Sequence, residues 1–383
     1  MKILYAIDSL ERGGSERSLV ELVGALEPMG VEPRFFLLRG TTAGLEAQVR
    51  SMGIPIRHAT ARARPSRVVQ LRREIAAHRP DIVHTALFES DQIGRLAALR
   101  SKAKVITSLV NTFDDPARRD DPSIRPWKLR LVSAIDGFTA RHLTHHFHAV
   151  SHTVARSAIA ALRVRPERVT VVERGRDPAR LGTRTPDRRR RAREALAIRP
   201  DDEVILAVGR QEHQKGQRFL LEAFAQIASS HRSALLLVAG RAGASTDALE
   251  AQRTASTAAA RIRFLGERDD VPDLLAAADV FALPSLYEGL PGALIEAMAL
   301  ELPVVATGIE PVRELVEDEV SALLVPPADP AALAASLARA LEDRALTQRL
   351  VDRAHNTFLA RCTLPASAEK MLALYDRVVR DAS

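Results

Sequence analysis

The chain has one cysteine, Cys362, among 383 residues. A single thiol excludes an intrachain disulfide and a cysteine metal cluster. Aromatic residues are only 4% of the sequence. That is too few to interleave with cations as a base-stacking surface requires, which argues against a nucleic-acid binder. No uninterrupted apolar run is long enough to span a bilayer. The opening residues, MKILYAID, read as a first strand rather than a signal peptide. A cytoplasmic location is expected, with peripheral attachment at the inner membrane face left open.

What is present suits two domains, because 383 residues exceed one ordinary core. Charge is one-sided. Lys and Arg against Asp and Glu give about +16 over residues 1–200 and about −9 over 201–383, within a formal net charge of +7. A basic half suits nucleic acid, an anionic membrane or an anionic acceptor.

Residues 284–314 organise the chain. The apolar run DVFAL (279–283) reads as a buried strand, and a turn with Glu288, Gly289, Leu290, Pro291 and Gly292 follows. Residues 293–300 read as a short apolar helix and 302–306 as another strand. This is a parallel α/β unit. Gly289 and Gly292 let the backbone approach a ligand, and free N–H groups at a helix start attract anions. Glu288 in the turn and Glu296 on the helix are carboxylates placed for hydroxyls. Such a turn suits a phosphorylated sugar.

The pattern Glu288, seven residues, Glu296, within EGLPGALIEAMALELPVVAT, resembles the donor-binding signature of retaining glycosyltransferases of family 4. The resemblance implies the GT-B fold, an α/β architecture of two Rossmann-like, doubly wound parallel-sheet domains facing each other across a cleft. GRQEHQKGQRFLLEAF is similar to that family's second motif. By that likeness Arg210 and Lys215 clamp the donor diphosphate, with Gly209 beside them. Fixed cations stabilise a departing nucleoside diphosphate. In the family they do so without a metal, and no DxD-type site stands in a matching context here. Strand ends at Gly240 and Leu265 are, by the same resemblance, where the nucleotide base is met. In the first domain, DSLERGGS resembles the family's GG-x-E turn and puts Gly13 and Gly14 near the donor phosphates. It is not GxGxxG, so it is no dinucleotide fingerprint.

The rest of the first half alternates strand-like and helical runs. A doubly wound sheet binds ligands at the C-terminal ends of its strands. His84 and Asn111 lie at such ends and are the acceptor-side candidates. The family's histidine after the strand ITSLVN is missing, and Asn111 cannot accept a proton near neutral pH. Five histidines fall between His142 and His152, and His142 with His146 has the i, i+4 spacing of a chelating helical face. Residues 111–128 form a long charged loop. With Arg62, Arg64, Arg67, Arg72 and Arg73 it offers a basic rim for an acceptor. Residues 173–193 read as the linker, and Arg188–Arg191 as either an acidic-lipid site or a polar helical turn.

The expected domains are residues 1–180 on the acceptor side and 181–363 on the donor side. By family likeness the amphipathic helix 364–383 completes the first. The expected activity is transfer of a sugar, from a UDP-sugar for preference, to the hydroxyl of a glycan, lipid-linked or small-molecule acceptor with retention. No cofactor or metal is expected. A nucleotide-sugar epimerase or hydrolase on the same fold is the alternative, and a basic nucleic-acid binder a more distant one.

Overall fold

Short runs of Val, Ile, Leu and Ala become thirteen strands among the residues that the computed structural model describes, 1–41, 44–113 and 126–381. In the first unit these are β1 (Lys2–Ile7), β2 (Glu32–Leu37), β3 (Ile56–His58), β4 (Ile82–Ala86), β5 (Lys104–Leu109), β6 (His146–Ala149) and β7 (Val169–Val171). They lie in the order β3-β2-β1-β4-β5-β6-β7, and their pairings are parallel. In the second unit β8 (Glu203–Val208), β9 (Ala234–Ala239), β10 (Ile262–Gly266), β11 (Val280–Leu283), β12 (Val304–Thr307) and β13 (Leu323–Val325) lie in the order β10-β9-β8-β11-β12-β13. These pairings too are parallel.

Parallel strands need helical crossovers, which cover both faces and demand continuous apolar sequence. ALLLVA of β9 is buried at all six positions for that reason. In β1 alternate residues serve opposite cores. Ile3, Tyr5 and Ile7 pack with Val20, Val23, Met371 and Leu374. Leu4 and Ala6 pack with Leu71, Ile75 and Ile93.

The first unit is discontinuous. It takes residues 1–113, 126–177 and 363–381, and the second unit takes 178–362. Thr363 pairs with Arg176, and the Leu364 N–H donates to the Arg176 carbonyl at 2.8 Å. A Cβ on Gly175 would lie 2.6 Å from Leu364 Cα, so only glycine lets the returning chain cross there. The helix Leu364–Arg380 then packs against the helix Gly14–Leu26.

The arginine run of residues 184–193 is employed inside the second unit. The helix Pro186–Ala195 starts at Thr185, whose hydroxyl caps the Arg188 N–H. Arg184, Arg189 and Arg193 donate to carbonyls of residues 276–278, at the end of the helix Val271–Ala277. Arg189 and Arg193 also bracket Asp279 at 2.6 and 2.7 Å. Cations at a helix C-terminus oppose its negative dipole end. Arg188 pairs instead with Asp273, in the first turn of the helix Val271–Ala277, at 2.7 Å. Residues 178–200, which carry about +6 of the basic excess, therefore belong to the second unit. Most of the charged loop 111–128 lies outside the described residues.

Each sheet reverses its strand order once, between β1 and β4 and between β8 and β11. Open α/β sheets bind ligands beyond the carboxyl ends of their strands at such reversals.

Candidate functional site

The β8/β11 reversal gathers most of the residues that the motifs single out. Three strand ends carry Gly209, Gly240 and Gly266. Gly240 has φ +150°, and a Cβ on it would stand 2.0 Å from the Gly209 carbonyl. Leu265, half-buried, precedes Gly266. Beyond Gly209 the exposed Arg210 leads into a single turn, His213–Lys215. Gly216 closes that turn at φ +58°, with Pro284 O 2.0 Å from where its Cβ would be. Any side chain at Gly216 or Gly240 would push apart the two loops that form the site.

Lys215 lies along Gly209 and reaches Glu288, with Nζ 2.6 Å from Oε1. Ser285 Oγ donates to the same oxygen at 2.8 Å. Glu288 is only 5% exposed, so its charge needs these partners. The turn itself is held from three sides. Gln214 O accepts from the Leu286 N–H at 2.8 Å, Gln214 Nε2 donates to Tyr287 O at 2.9 Å, and Thr307 Oγ1 donates to Ser285 O. Gly289 and Leu290 then lead to Pro291, which is the N-cap of the helix Gly292–Ala299. That cap has no side-chain acceptor, and no acidic residue sits in the first turn. The helix start is therefore electropositive. Glu296 is buried on the same helix. Ser285 and Thr307 escaped the motif reading. Their signal is faint, since hydroxyls beside strand ends are common.

The first unit's residues divide differently. Gly13 is the N-cap of the helix Gly14–Leu26, and Arg174 hydrogen-bonds Ser15 Oγ at 3.1 Å. Asn111 Oδ1 accepts from the Thr112 N–H at 3.0 Å, just past β5. His84 is 2% exposed and sits inside a chain of polar side chains. His148 Nε2 is 2.9 Å from the Val172 carbonyl and must donate to it. His148 Nδ1 is then an acceptor for Ser108 Oγ at 2.8 Å. The Ser108 oxygen in turn accepts from His84 Nε2 at 2.7 Å. His84 Nδ1 accepts from Tyr375 Oη at 2.6 Å, and Tyr375 accepts from Tyr5 at 3.3 Å. With both histidines neutral every donor in this chain meets an acceptor. Burial, and then the neighbouring His148, push His84 down to about 3, and burial pushes His148 down to about 4. His84 thus spans the sheet and ties down the last helix.

The His142/His146 spacing does not form a helical face. His142 lies against Phe138 with the rings tilted, at the end of the helix Pro126–Leu143, whereas His146 is in β6. No group of three His, Cys, Asp or Glu side chains among the described residues could hold a metal.

The basic rim splits. Arg39, Arg64 and Arg67 converge on Glu89, at 3.2, 3.6 and 2.7 Å. Arg39 reaches Asp8 as well, at 3.5 Å. Asp8 directly follows β1 and accepts from the N–H and hydroxyl of Ser90. Burial raises the Asp8 carboxyl above its usual range. Between β4 and the helix Phe88–Ala98 stands Leu87 at φ +77°. Such backbone states cluster at functional strand ends. Arg72 instead donates to the Leu96 and Ala97 carbonyls.

Two parallel-sheet α/β units, each with one strand-order reversal, are the architecture of the GT-B fold. The fold matches the crystal structure of Anabaena Alr3699/HepE in complex with UDP and glucose with a TM-score of 0.87, at 22% identity, over 98% of this chain and 100% of that one. Residues 12–180 match Glycosyltransferase Family 4, and residues 188–357 match Glycosyl transferases group 1. Along 389 residues the chain is 30% identical to the D-inositol 3-phosphate glycosyltransferase of Salinispora tropica, covering 91% of this chain and 78% of the relative. It is 28% identical to the alpha-D-kanosaminyltransferase of Streptomyces kanamyceticus over 196 residues, about half of each. The chain belongs to the family 4, or group 1, glycosyltransferases.

Proposed function

We propose that this glycosyltransferase moves a sugar from a UDP-sugar to an acceptor hydroxyl, with retention at the anomeric carbon and without a metal. The observation that carries this is the Lys215–Glu288–Ser285 contact beside an uncapped helix start at the β8/β11 reversal. Arg210 and Lys215 take the diphosphate. Gly289 to Gly292 present amides, Glu288 binds sugar hydroxyls, and Glu296 binds the ribose. Gly209, Gly240 and Leu265 border the base. The relatives named above are transferases, which disfavours an epimerase or hydrolase. Asn111 is retained as an acceptor-side residue. His84 is not, because both its nitrogens are engaged.

In the reaction the anomeric carbon loses its bond to the β-phosphate oxygen and gains one to the acceptor oxygen on the same face. The acceptor proton passes to the departing phosphate oxygen. Lys215 and Arg210 stabilise the charge that collects there. The acceptor is a glycan, a lipid-linked saccharide or a small molecule.

The test is a thermal-shift titration. UDP or UDP-glucose at a hundredfold excess over Kd stabilises the protein by about 3 kcal/mol, and EDTA leaves the shift in place. A shift that disappears with EDTA overturns the metal-free site. No shift with UDP or any UDP-sugar overturns the donor.

A further inference from the structure

The β8/β11 reversal holds a carboxylate whose two oxygens stand in different surroundings. Lys215 and Ser285 both donate to Glu288 Oε1, at 2.6 and 2.8 Å. Oε2 has no partner among the described residues and still touches solvent. Only 7% of the side chain is exposed in all. A carboxylate oxygen with nothing to accept from, on a side chain otherwise buried, is a place kept for a donor from outside the chain.

The two anchors on Oε1 differ in what a substrate can do to them. The Lys215 side chain is 21% exposed and carries its ammonium on a flexible stem. That ammonium has several donors, and in the proposed complex the diphosphate takes some of them. Ser285 is 0% exposed, so a ligand does not compete for its hydroxyl. A hydroxyl donates once, and Glu288 Oε1 receives that bond. Ser285 is itself fixed from behind. β11 and β12 pair with Leu283 opposite Ala306, which puts Thr307 beside the chain leaving β11. Thr307 is buried and donates its hydroxyl to the Ser285 carbonyl. A buried line of bonds therefore runs from the end of β12 through Ser285 to the carboxylate.

We infer that Ser285 is a positioning residue for the transfer, with Thr307 behind it. It holds Glu288 in one rotamer with Oε2 outward while the diphosphate draws on Lys215. The inference rests on the reading of Glu288 as the carboxylate that meets the donor sugar. A glutamate loses much rotamer freedom when it is fixed. An anchor in place before the donor arrives keeps that loss out of the reaction step. A displaced Glu288 harms rate more than binding, because positive charge at the anomeric carbon develops only on the way to the transition state.

The experiment is a double-mutant cycle on the release of UDP from UDP-glucose, or from whichever UDP-sugar gives the thermal shift. Water takes the acceptor's place, so the acceptor need not be known. Calorimetric titration of free UDP runs beside it. Ser285→Ala lowers kcat about tenfold, with KM and the UDP Kd within about twofold of the parent. Thr307→Val keeps the shape and removes the hydroxyl. It lowers kcat about threefold, and Thr307→Ser restores the parental rate. In the Glu288→Ala background Ser285→Ala costs nothing further, since its hydroxyl has no carboxylate left to hold. Equal losses in both backgrounds overturn the inference. So does a Ser285→Ala enzyme with the parental kcat, or one in which only KM or the UDP Kd changes. Unchanged kcat in Glu288→Ala is a different failure: it removes the sugar reading of Glu288, and the positioning role falls with it.

Discussion

Glu288→Gln lowers kcat about a hundredfold while free UDP still binds within about threefold of the parent. The Glu288 carboxylate is fixed by Lys215 and Ser285 before any substrate arrives. Fixed charge is worth most where charge develops, and here that is the positive charge at the anomeric carbon. An amide of the same shape keeps the hydrogen bonds to the sugar but loses the charge. Free UDP has no sugar at that position and loses little. Glu296→Gln does the reverse. It weakens UDP by about 1–3 kcal/mol, because a buried ribose hydroxyl loses a charged partner. Calorimetric titration of UDP into both variants, beside steady-state kinetics with the intact donor, separates them. Equal loss of UDP affinity in both variants would falsify the division of sugar and ribose between the two carboxylates. Denaturation curves accompany the test, since Glu288→Gln leaves the Lys215 ammonium facing a neutral partner and costs about 1–3 kcal/mol of stability.

His84→Phe changes both stability and its dependence on pH. At neutral pH the variant loses about 3 kcal/mol, because Tyr375 and Ser108 are left with unmatched polar atoms in the core. The parent refuses protons in the folded state that the unfolded chain accepts below about 6.5. His84 and His148, at about 3 and about 4 when folded, therefore contribute stability that is full above 6.5. That stability declines as pH falls toward those values. By pH 5 each histidine has withdrawn on the order of 2 kcal/mol. Urea denaturation at pH 7.5 and pH 5 reads this directly. The parent loses about 2 kcal/mol more than His84→Phe over that interval. Identical losses would show that His84 titrates freely in the native state.

The architecture was legible because parallel sheets write themselves as repeated apolar runs. KILYAI, ALLLVA and VFAL announce buried strands by composition alone. The donor site was legible through its glycines, two of which, Gly216 and Gly240, stand so close to Pro284 and Gly209 that no side chain fits. Pairings across long separations were not. Lys215 meets Glu288 across 73 residues, and His84 meets Tyr375 across 291, and no local spacing carries either. Polar residues inside apolar strands were the available hint, since Tyr5 and His84 are register partners, as are Ser108 and His148. The arginines of 184–193 misled as a bare charge run. Side chains of one kind went to carbonyls, carboxylates or solvent according to where the helix Pro186–Ala195 turned them.

The return of the last helix to the first unit has a consequence for biosynthesis. A ribosome completes residues 1–177 early but withholds Tyr375, Met371 and Leu374, which fill that unit's core. Residues 178–362 emerge as one continuous piece and need nothing from later in the chain to close their sheet. Vectorial synthesis therefore lets the second unit fold while the first still waits with an open hydrophobic face. A nascent chain stalled before residue 363 would carry a finished second unit and an unfinished first one. It would present chaperones with the apolar surface that the final helix is made to cover.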